Sequence, residues 1–313
     1  MEAIREAFGK AMVEAGKRYP AVVAVSCDLK AATRMWPFFN AYPERSFEVG
    51  IAEANGIGIA AGLALSGFRP FISSFGAFLT GKNVEIRTSV AYNQAPVVLV
   101  GTHGGLIGPD GATQAGLQDI AVMRTIPNTR VFQPATAIET AATVDYVSRS
   151  REPVYLRIAR NPVPELYEAD YEFVPGRGYV LREGQDVVVF SSGPPLHAAL
   201  AAANAVAQEF SVCVVNLPSL KPVDEGLIVE RARRSRLVVT VEDHEVAGGL
   251  GGIVAEVLAD HGVGAPLSRH GLRDVFIESG TPEQLEEYFE LDGPGVARVI
   301  RAAWSRVSKT RGA

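Results

Sequence analysis

The feature that most constrains this fold is a series of short, uninterrupted apolar runs rich in β-branched residues. AVVAVS, beginning at Ala21, and PVVLVG, beginning at Pro96, are examples without any alternating polar residue. A strand covered on both faces has this continuous pattern, whereas a half-exposed strand alternates. Stretches of helical periodicity separate the runs, so strands and helices alternate along the chain. This alternation predicts an α/β fold with doubly wound, mostly parallel sheets.

The pattern occurs twice, and the chain of 313 residues has the length of about two domains. Residues 161–184 carry three prolines and no clear period, which indicates a linker. We place the domains at 1–165 and 185–313, with the linker at 166–184. The predicted strands are Ala21–Ser26, Phe71–Ser74, Pro96–Gly101, Arg130–Gln133, Pro153–Ile158, Asp186–Ser191, Val212–Asn216 and Leu237–Val241. The predicted helices are Glu2–Lys17, Glu53–Leu65, Ala77–Tyr92, Ala137–Ser148, Ala198–Gln208, Asp224–Ser235, Gly251–His261 and Gly295–Ser308.

Charge and hydropathy exclude two classes of partner. The chain has 30 Lys and Arg against 35 Asp and Glu, so it lacks the net basic footprint of a nucleic-acid binder. The longest nearly uncharged stretch, Ala54–Phe68, is shorter than the roughly 20 residues of a membrane span and predicts a buried helix. We therefore expect neither a nucleic-acid nor a membrane partner.

The N-terminal segment and the cysteines indicate the compartment. MEAIREAFGKAMVEAG is amphipathic and mixed in charge, without the apolar core of a signal peptide. Cys27 and Cys213 lie far apart inside apolar runs, which predicts buried thiols in a reducing compartment. A cytoplasmic protein is expected.

Three residues in the first half attract attention. Glu53 opens an otherwise apolar helix, where the helix N-terminus stabilises a carboxylate. Taken alone, Glu53 is better explained as an ordinary helix-start residue. Phe75 and Phe78 lie three residues apart after a predicted strand, and ordinary core packing would account for them.

Four segments together resemble the transketolase family: FEVGIAEAN, SSFGAFLTGKNVEIRTSVAY, GPDGATQAGLQDIAVMRTIPN and VTVEDHEVAGGLG. The likeness covers nearly the whole chain and is to the C-terminal subunit of two-subunit transketolases. It implies a thiamine-diphosphate pyrimidine-binding domain, a transketolase C-terminal domain and a transferase activity.

The resemblance gives Glu53 and the two phenylalanines a cofactor role. In the family, the glutamate of the GIAE segment hydrogen-bonds N1′ of the cofactor's aminopyrimidine and favours its imino tautomer. A positioned acid–base group of this kind contributes roughly 10²–10⁴-fold to the rate. Phe75 and Phe78 match aromatics that stack on the pyrimidine. Gly81 stands where a further aromatic often occurs.

Other matched positions imply contacts with a sugar phosphate. Asp110 matches an aspartate that hydrogen-bonds substrate hydroxyls. Arg5, His103 and Arg160 match residues that hold the substrate phosphate, as charge-assisted donors can. A solvated charge or a local salt bridge is the alternative for each basic residue.

The sequence departs from the family at two positions. Transketolases have a histidine where GPDGATQ has Gln114, and glutamine cannot shuttle a proton near neutral pH. We count Glu53, His103 and Gln114 as the candidate catalytic residues. The family's serine in the loop after the first strand is also absent, because Ala32 followed by Thr33 stands there. A change in donor preference or rate is expected.

The family's metal site, a Gly-Asp-Gly segment followed by an asparagine, does not occur in this sequence. A hard cation such as Mg²⁺ needs carboxylate and carbonyl oxygens. The resemblance therefore implies thiamine diphosphate with Mg²⁺ ligands from a partner N-terminal subunit. We expect this chain to homodimerise within a two-by-two heterotetramer and to supply no metal ligand of its own.

The Gly-rich turn EDHEVAGGLGG follows a strand and precedes a helix, where a phosphate can bind. We interpret Gly248, Gly249 and Gly251 as a tight structural turn and His244 as a subunit-contact residue. The other histidines, His197, His261 and His270, are expected to be structural or solvated.

The leading function is a subunit that moves a two-carbon ketol unit from a ketose, or ketose phosphate, to an aldose acceptor. A carboligase that accepts a 2-oxo acid is an alternative, related to the pyruvate-dehydrogenase β subunit and deoxyxylulose-phosphate synthase. A non-catalytic binding or regulatory paralogue is the alternative from another class.

Overall fold

The computed structural model describes residues 1–310 and contains two large, mostly parallel sheets. The strands are β1 Glu2–Ala3, β2 Val22–Ser26, β3 Ser46–Glu48, β4 Arg69–Phe75, β5 Val98–Thr102, β6 Arg130–Phe132, β7 Val154–Ile158, β8 Pro162–Val163, β9 Tyr179–Arg182, β10 Val187–Ser191, β11 Val212–Asn216, β12 Ser219–Lys221, β13 Leu237–Glu245 and β14 Leu267–Leu272. The α-helices are α1 Ile4–Arg18, α2 Trp36–Ala41, α3 Glu53–Leu65, α4 Gly76–Thr80, α5 Asn83–Glu85, α6 Asp119–Thr125, α7 Ala137–Arg149, α8 Pro195–Ala205, α9 Glu225–Arg234, α10 Leu250–Asp260, α11 Pro282–Tyr288 and α12 Gly293–Thr310. A 3₁₀ turn at Pro43–Arg45 and a π-helix at Ile86–Ala91 complete the elements.

The first sheet has seven strands in the order β12-β6-β7-β5-β4-β2-β3, all parallel except β12. Neighbouring residues of one strand belong to different apolar clusters. Val25 packs with Ile57 of α3, whereas Ala24 packs with Phe8 of α1. Both faces are therefore covered, which is the physical reason for the continuous apolar runs.

The second sheet has five strands in the order β14-β13-β10-β11-β9, with β9 antiparallel to β11. α8 and α12 pack against one another over one face, and α9 and α10 do so over the other. The expected doubly wound α/β architecture is confirmed in both halves.

The two halves interlock more than the sequence predicts. β9 lies inside the segment expected to be an irregular linker, yet it joins the second sheet. β12 comes from the second half but pairs with β6 at the edge of the first sheet, where the Lys221 ammonium donates to the carbonyl of Arg124 (2.9 Å). Short edge strands of three or four residues have no period that a sequence can reveal.

The helix predicted over Ala77–Tyr92 is broken into α4, α5 and the π-helix. Gly81 ends α4, and Lys82 leaves the helical region with φ −98° and ψ 44°. Glycine is a poor helix former, so the interruption falls where the propensity is lowest.

α3 differs from its expected burial. One side of this helix packs on the sheet, but its other side is open to solvent, and Leu65 is 63% exposed. Large apolar side chains nearby are also exposed. We call the exposed set the α3 face: Ile51, Leu65, Phe68, Val84 and Tyr92.

The cysteines and the hydropathy of the helices can also be compared with the sequence. The thiols of Cys27 and Cys213 are buried and unbridged, as predicted. Within residues 1–310, no helix is both long and apolar enough to cross a bilayer.

Candidate active site

Glu53 begins α3 at the carboxyl edge of the first sheet and is only 7% exposed. The Ser74 hydroxyl, near the end of β4, donates to Glu53 Oε1 over 2.8 Å. No side chain caps α3, so this carboxylate does not serve the helix as a cap. The carboxylate instead accepts a hydrogen bond from a side chain on β4. This favours a role for Glu53 in a site over that of an ordinary helix-start residue.

Three rings lie where β4 and β5 end, and the first of them, Phe75, follows the Ser74 partner of Glu53 in the chain. Phe75 and Phe78 stack with centroids 5.4 Å apart and planes 23° apart. The imidazole of His103 lies 3.8 Å from the centroid of Phe75. The structure thus brings together an acid and an aromatic wall at one edge of a parallel sheet, a usual position for a binding site.

His103 follows β5 with a left-handed backbone, φ 58°, and is buried. Its Nδ1 lies 2.9 Å from the Thr102 hydroxyl, which is also within reach of the Ser74 carbonyl at 3.3 Å. When that hydroxyl donates to the carbonyl, Nδ1 donates to the hydroxyl and Nε2 keeps the lone pair. Burial, and then the charges of Arg5 and Arg160, lower the pKa of His103 to about 3. A neutral imidazole at pH 7 therefore offers hydrogen bonding here rather than charge.

Three guanidinium groups converge near His103. Arg5 donates to the Ala32 carbonyl at 3.3 Å, and its buried Nε has no partner among the described residues. Burial, and then the charges of Arg34 and Arg160, lower the pKa of Arg5. Arg34 pairs with Glu6 at 2.6 Å. Since the arginines disfavour one another's charge, an anion bound among them would relieve the repulsion.

Asp110 and Arg160 form an ion pair with each other. A local salt bridge of this kind is the alternative role that the sequence allows for Arg160. Arg160 also donates to the carbonyl of Ile107 at 3.2 Å. Both groups are partly exposed. A substrate that contacts them must exchange these bonds for its own.

Gln114 lies with Asp110 in the segment from 103 to 117, which we call the 103–117 loop. Its backbone amide donates to the Gly111 carbonyl at 3.2 Å, and its side chain is half-buried. The loop closes at its base, where Gly116 N donates to the His103 carbonyl at 3.0 Å. Loop closure places His103, Asp110 and Gln114 on one structural unit.

The sequence missed several residues of this region. Ser74 is the hydrogen-bond partner of Glu53, and Arg34 is a third arginine near His103. Ser74 lies inside a segment that resembles the family, but its partner lies 21 residues away, on α3. Only the register of β4 against α3 brings the two together.

In the second half, a carboxylate of the chain itself occupies the helix start that follows the Gly-rich turn. The carboxylate of Glu242 accepts from the amides of Leu250 and Gly251 at 2.7 and 2.8 Å. A Cβ on Gly249 would collide with this carboxylate and with His244, as expected for a tight structural turn. His244 is completely buried against α6, so its prediction as a subunit contact was wrong.

The remaining histidines have local partners. Nε2 of His197 lies 3.1 Å from the Ala135 carbonyl, and Nε2 of His270 lies 2.8 Å from the Glu290 carbonyl. His261 is exposed beside Glu225. These positions match the expected structural or solvated roles.

The fold and this edge of the first sheet define a two-sheet α/β protein of the transketolase type. Residues 1–165 match the family model described as "Transketolase, pyrimidine binding domain", and residues 176–296 match "Transketolase, C-terminal domain". The chain belongs to the transketolase family. The family places it among subunits of thiamine-diphosphate-dependent transferases.

Three similar proteins illustrate the match. A putative transketolase C-terminal section from Methanocaldococcus jannaschii is 39% identical over 95% of this chain and 95% of its own length. A 6-deoxy-6-sulfo-D-fructose transketolase subunit from a Clostridium species (strain MSTE9) is 34% identical over 97% of this chain and 95% of its own length. A solved split-gene transketolase, described as an inactive β4 tetramer, superposes with a TM-score of 0.90 at 42% identity and covers 97% of this chain and 99% of its own.

Thiamine diphosphate has two halves, and the described residues suit one of them. The buried carboxylate of Glu53 and the ring of Phe78 form a polar and an aromatic contact of the kind a pyrimidine needs. Among residues 1–310, no group of three or more His, Cys, Asp and Glu side chains is arranged to hold a metal.

Proposed function

We propose that this chain is the C-terminal subunit of a two-subunit transketolase-like enzyme. It transfers a two-carbon ketol unit from a ketose or ketose phosphate to an aldose acceptor. The observation that carries the proposal is the buried Glu53 carboxylate, hydrogen-bonded by Ser74 at the strand end from which the stacked Phe75 and Phe78 follow. Glu53 and the two rings are the proposed cofactor contacts.

Thiamine diphosphate, when bound, supplies the carbon centre at which the carbon–carbon bond is broken and remade. The Glu53 carboxylate would hydrogen-bond the pyrimidine, and Ser74 orients that carboxylate by donating to Oε1. Burial of both groups excludes water from the hydrogen bond. Phe75 and Phe78 present ring faces on which a flat heterocycle stacks.

The arginines specify an anionic substrate. Arg5, Arg34 and Arg160 make a positive region beside the neutral His103. A phosphate or another tetrahedral anion on a sugar meets several guanidinium donors there. Asp110, released from Arg160 by that anion, can then accept from substrate hydroxyls.

A partner subunit completes the proposal. The relative from Methanocaldococcus jannaschii is named a C-terminal section, and the split-gene tetramer is described as inactive. The sequence contains no Gly-Asp-Gly segment, so the Mg²⁺ and diphosphate contacts are assigned to an N-terminal subunit. The exposed apolar α3 face supports an interface with another chain, because large apolar patches mark interaction sites. A two-by-two heterotetramer in the cytoplasm is the proposed assembly.

Calorimetric titration tests the partner requirement. Thiamine diphosphate and Mg²⁺ are added to this chain alone and then to the chain with the N-terminal subunit. We expect stoichiometric binding only in the mixture. Tight binding to this chain alone would remove the need for a partner in cofactor binding.

Substitution of Glu53 tests catalysis. Glu53→Gln in the reconstituted complex should lower turnover by roughly 10²–10⁴-fold, since the acid–base group is lost. Glu14→Gln, on the exposed side of α1, is the matched control and should leave turnover unchanged. Unchanged turnover in Glu53→Gln would favour the non-catalytic paralogue.

The second candidate is a carboligase that accepts a 2-oxo acid as donor. Gln114 favours it, because a family histidine that contacts the ketose donor is replaced by a residue without a titratable proton. Assay of the complex with 2-oxo acids and with ketose phosphates separates the two candidates. Turnover of the 2-oxo acids alone would replace ketol transfer by carboligation.

A further inference from the structure

A buried ionic group lies between the two halves, directly beneath the 103–117 loop. Arg157 of β7 is 1% exposed and contacts a carboxylate from each half. Its Nε lies 3.0 Å from Asp119 Oδ2 at the start of α6, and its Nη1 lies 2.6 Å from Asp243 Oδ1 on β13. Tyr155 also donates to Asp119 at 2.6 Å. One guanidinium therefore joins the first sheet to the second.

The same guanidinium supports the base of the 103–117 loop. Nη2 of Arg157 donates to the Gly116 carbonyl at 2.9 Å, and that carbonyl also accepts from Gly105 N at 3.0 Å. Gly116 N donates to the His103 carbonyl. A displacement of Arg157 would therefore move Gly116 at one end of the loop. Through the two hydrogen bonds of Gly116 it would also move His103 and Gly105 at the other end.

The glycines of the loop show how closely it rests on this group. A Cβ on Gly104 would lie 2.6 Å from Arg157 Nε, and a Cβ on Gly105 would collide with the Asp243 carboxylate. Gly105 also has φ 83°, a conformation that other residues rarely adopt. The loop backbone can lie here only because these two positions carry no side chain.

Joining the two halves does not by itself require buried ions. Desolvation makes a buried ion pair a poor source of stability compared with apolar packing. The chain also has a more accessible ion pair across the same boundary, between Arg124 of α6 and Glu256 of α10. What distinguishes the Arg157 group is its contact with the loop backbone.

We propose that Asp243 and Arg157 are positioning residues, through which the second sheet sets the place of the loop carrying His103, Asp110 and Gln114. Asp243 orients the guanidinium, and the guanidinium orients the Gly116 carbonyl. The effect on substrate rests on the proposed function, whereas the effect on the loop does not. The second half of the chain thereby acts on the site without touching the reacting atoms.

Hydrogen exchange of this chain alone tests the positioning. Asp243→Asn removes the charge that orients Arg157, and Arg157→Lys keeps a buried cation but loses the donor to Gly116. Both variants should speed amide exchange in the 103–117 loop by about tenfold or more while β4 exchanges as before. Glu256→Gln, which breaks the other cross-boundary ion pair, should leave the loop unchanged. Unaltered loop exchange in folded Arg157→Lys overturns the proposal, even if Asp243→Asn fails to fold.

Kinetics of the complex give the second measurement. Both variants should raise the KM for the sugar substrates about tenfold while half-saturation by thiamine diphosphate stays within twofold. A purely structural ion pair would lower the melting temperature and leave the KM unchanged, which contradicts the proposal. Failure of the wild-type complex to transfer a ketol unit would refute the proposed function but not the exchange result.

Discussion

The hydroxyl of Ser74 donates to Oε1 of Glu53 over 2.8 Å, and both residues are buried at the carboxyl edge of the first sheet. Ser74 is on β4 and Glu53 begins α3, so two elements must pack in one register to form the bond. The adjacent hydroxyl of Ser73 is also buried but has no hydrogen-bond partner within residues 1–310. The two serines thus form a natural comparison.

Ser74→Ala should destabilise the chain by about 1–3 kcal/mol, because it leaves a buried carboxylate oxygen without its donor. Ser73→Ala removes a hydroxyl that makes no bond, so its free energy of unfolding should equal or exceed that of the wild type. Urea unfolding at pH 7 measures both. Equal losses in the two variants would contradict a specific role for the Ser74 bond.

Arg5→Gln should raise the pKa of His103, because the positive charge of Arg5 is, after burial, the largest cause of the lowered value. Proton NMR titration of the imidazole in this chain alone measures the change. In the complex, the same variant should raise the KM of phosphorylated acceptors more than that of unphosphorylated ones. Lys10→Gln, an exposed cation on the same helix, is the control and should change neither quantity. Identical KM increases for both acceptor types would argue against an anion contact.

Gln114→His should shift activity towards ordinary ketose phosphates, since it restores a side chain that exchanges a proton near neutral pH. The measurement is kcat/KM for ketose phosphates against 2-oxo acids in the reconstituted complex. Gln118→His, at an exposed position just outside the loop, is the matched control. An unchanged ratio in Gln114→His would make the family departure incidental.

Glu139, at the junction of the two halves, should make the free energy of unfolding depend on pH. This side chain is completely buried and accepts from the Tyr171 hydroxyl at 2.8 Å and from the Asn216 amide at 2.9 Å. Burial outweighs these bonds and raises the pKa of Glu139 from 4.5 to about 7. The folded chain therefore keeps a proton that the unfolded chain has lost between about pH 4.5 and 7.

The sign follows from that proton. The stability contributed by protonated Glu139 is complete below pH 4.5 and is lost as the pH rises through about 7. Relative to Glu139→Gln, the wild type should lose about 3 kcal/mol of unfolding free energy between pH 5 and 8. The hydrogen bond and charge of Arg124 lower the pKa of Glu256, so Glu256→Gln should differ from the wild type by a constant amount across this range. Parallel pH profiles for the wild type and Glu139→Gln would refute the assignment.

Much of the fold was predictable from local pattern. The runs at Val22–Ser26 and Val212–Asn216 became buried parallel strands, because strands covered on both faces need apolar residues throughout. The helix at Glu53–Leu65 was also predicted with its observed bounds. Short edge strands such as Tyr179–Arg182, and the break after Gly81, escaped prediction because three or four residues carry no periodicity.

The candidate site was predictable only in its parts. Glu53, Phe75 and Phe78 were identified by resemblance, and the structure brings them to one edge of the sheet. The neutral state of His103 and the ion pair between Asp110 and Arg160 were not predicted, since both depend on which charges lie near in space. The pattern of residues along the chain does not show which side chains are buried or which charges lie close together in space.

The sequence by itself determined the class of fold, the order of most of its long buried strands and helices, and the family with its candidate residues. These follow from periodicity and from short segments, which are local properties of the chain. Only the tertiary structure decided that Glu242 occupies the start of α10, that His244 is buried inside the chain, and that Arg157 joins both halves under the 103–117 loop. Each of these depends on a contact between residues distant in sequence or on burial among them, which are established only when the sheets and helices pack.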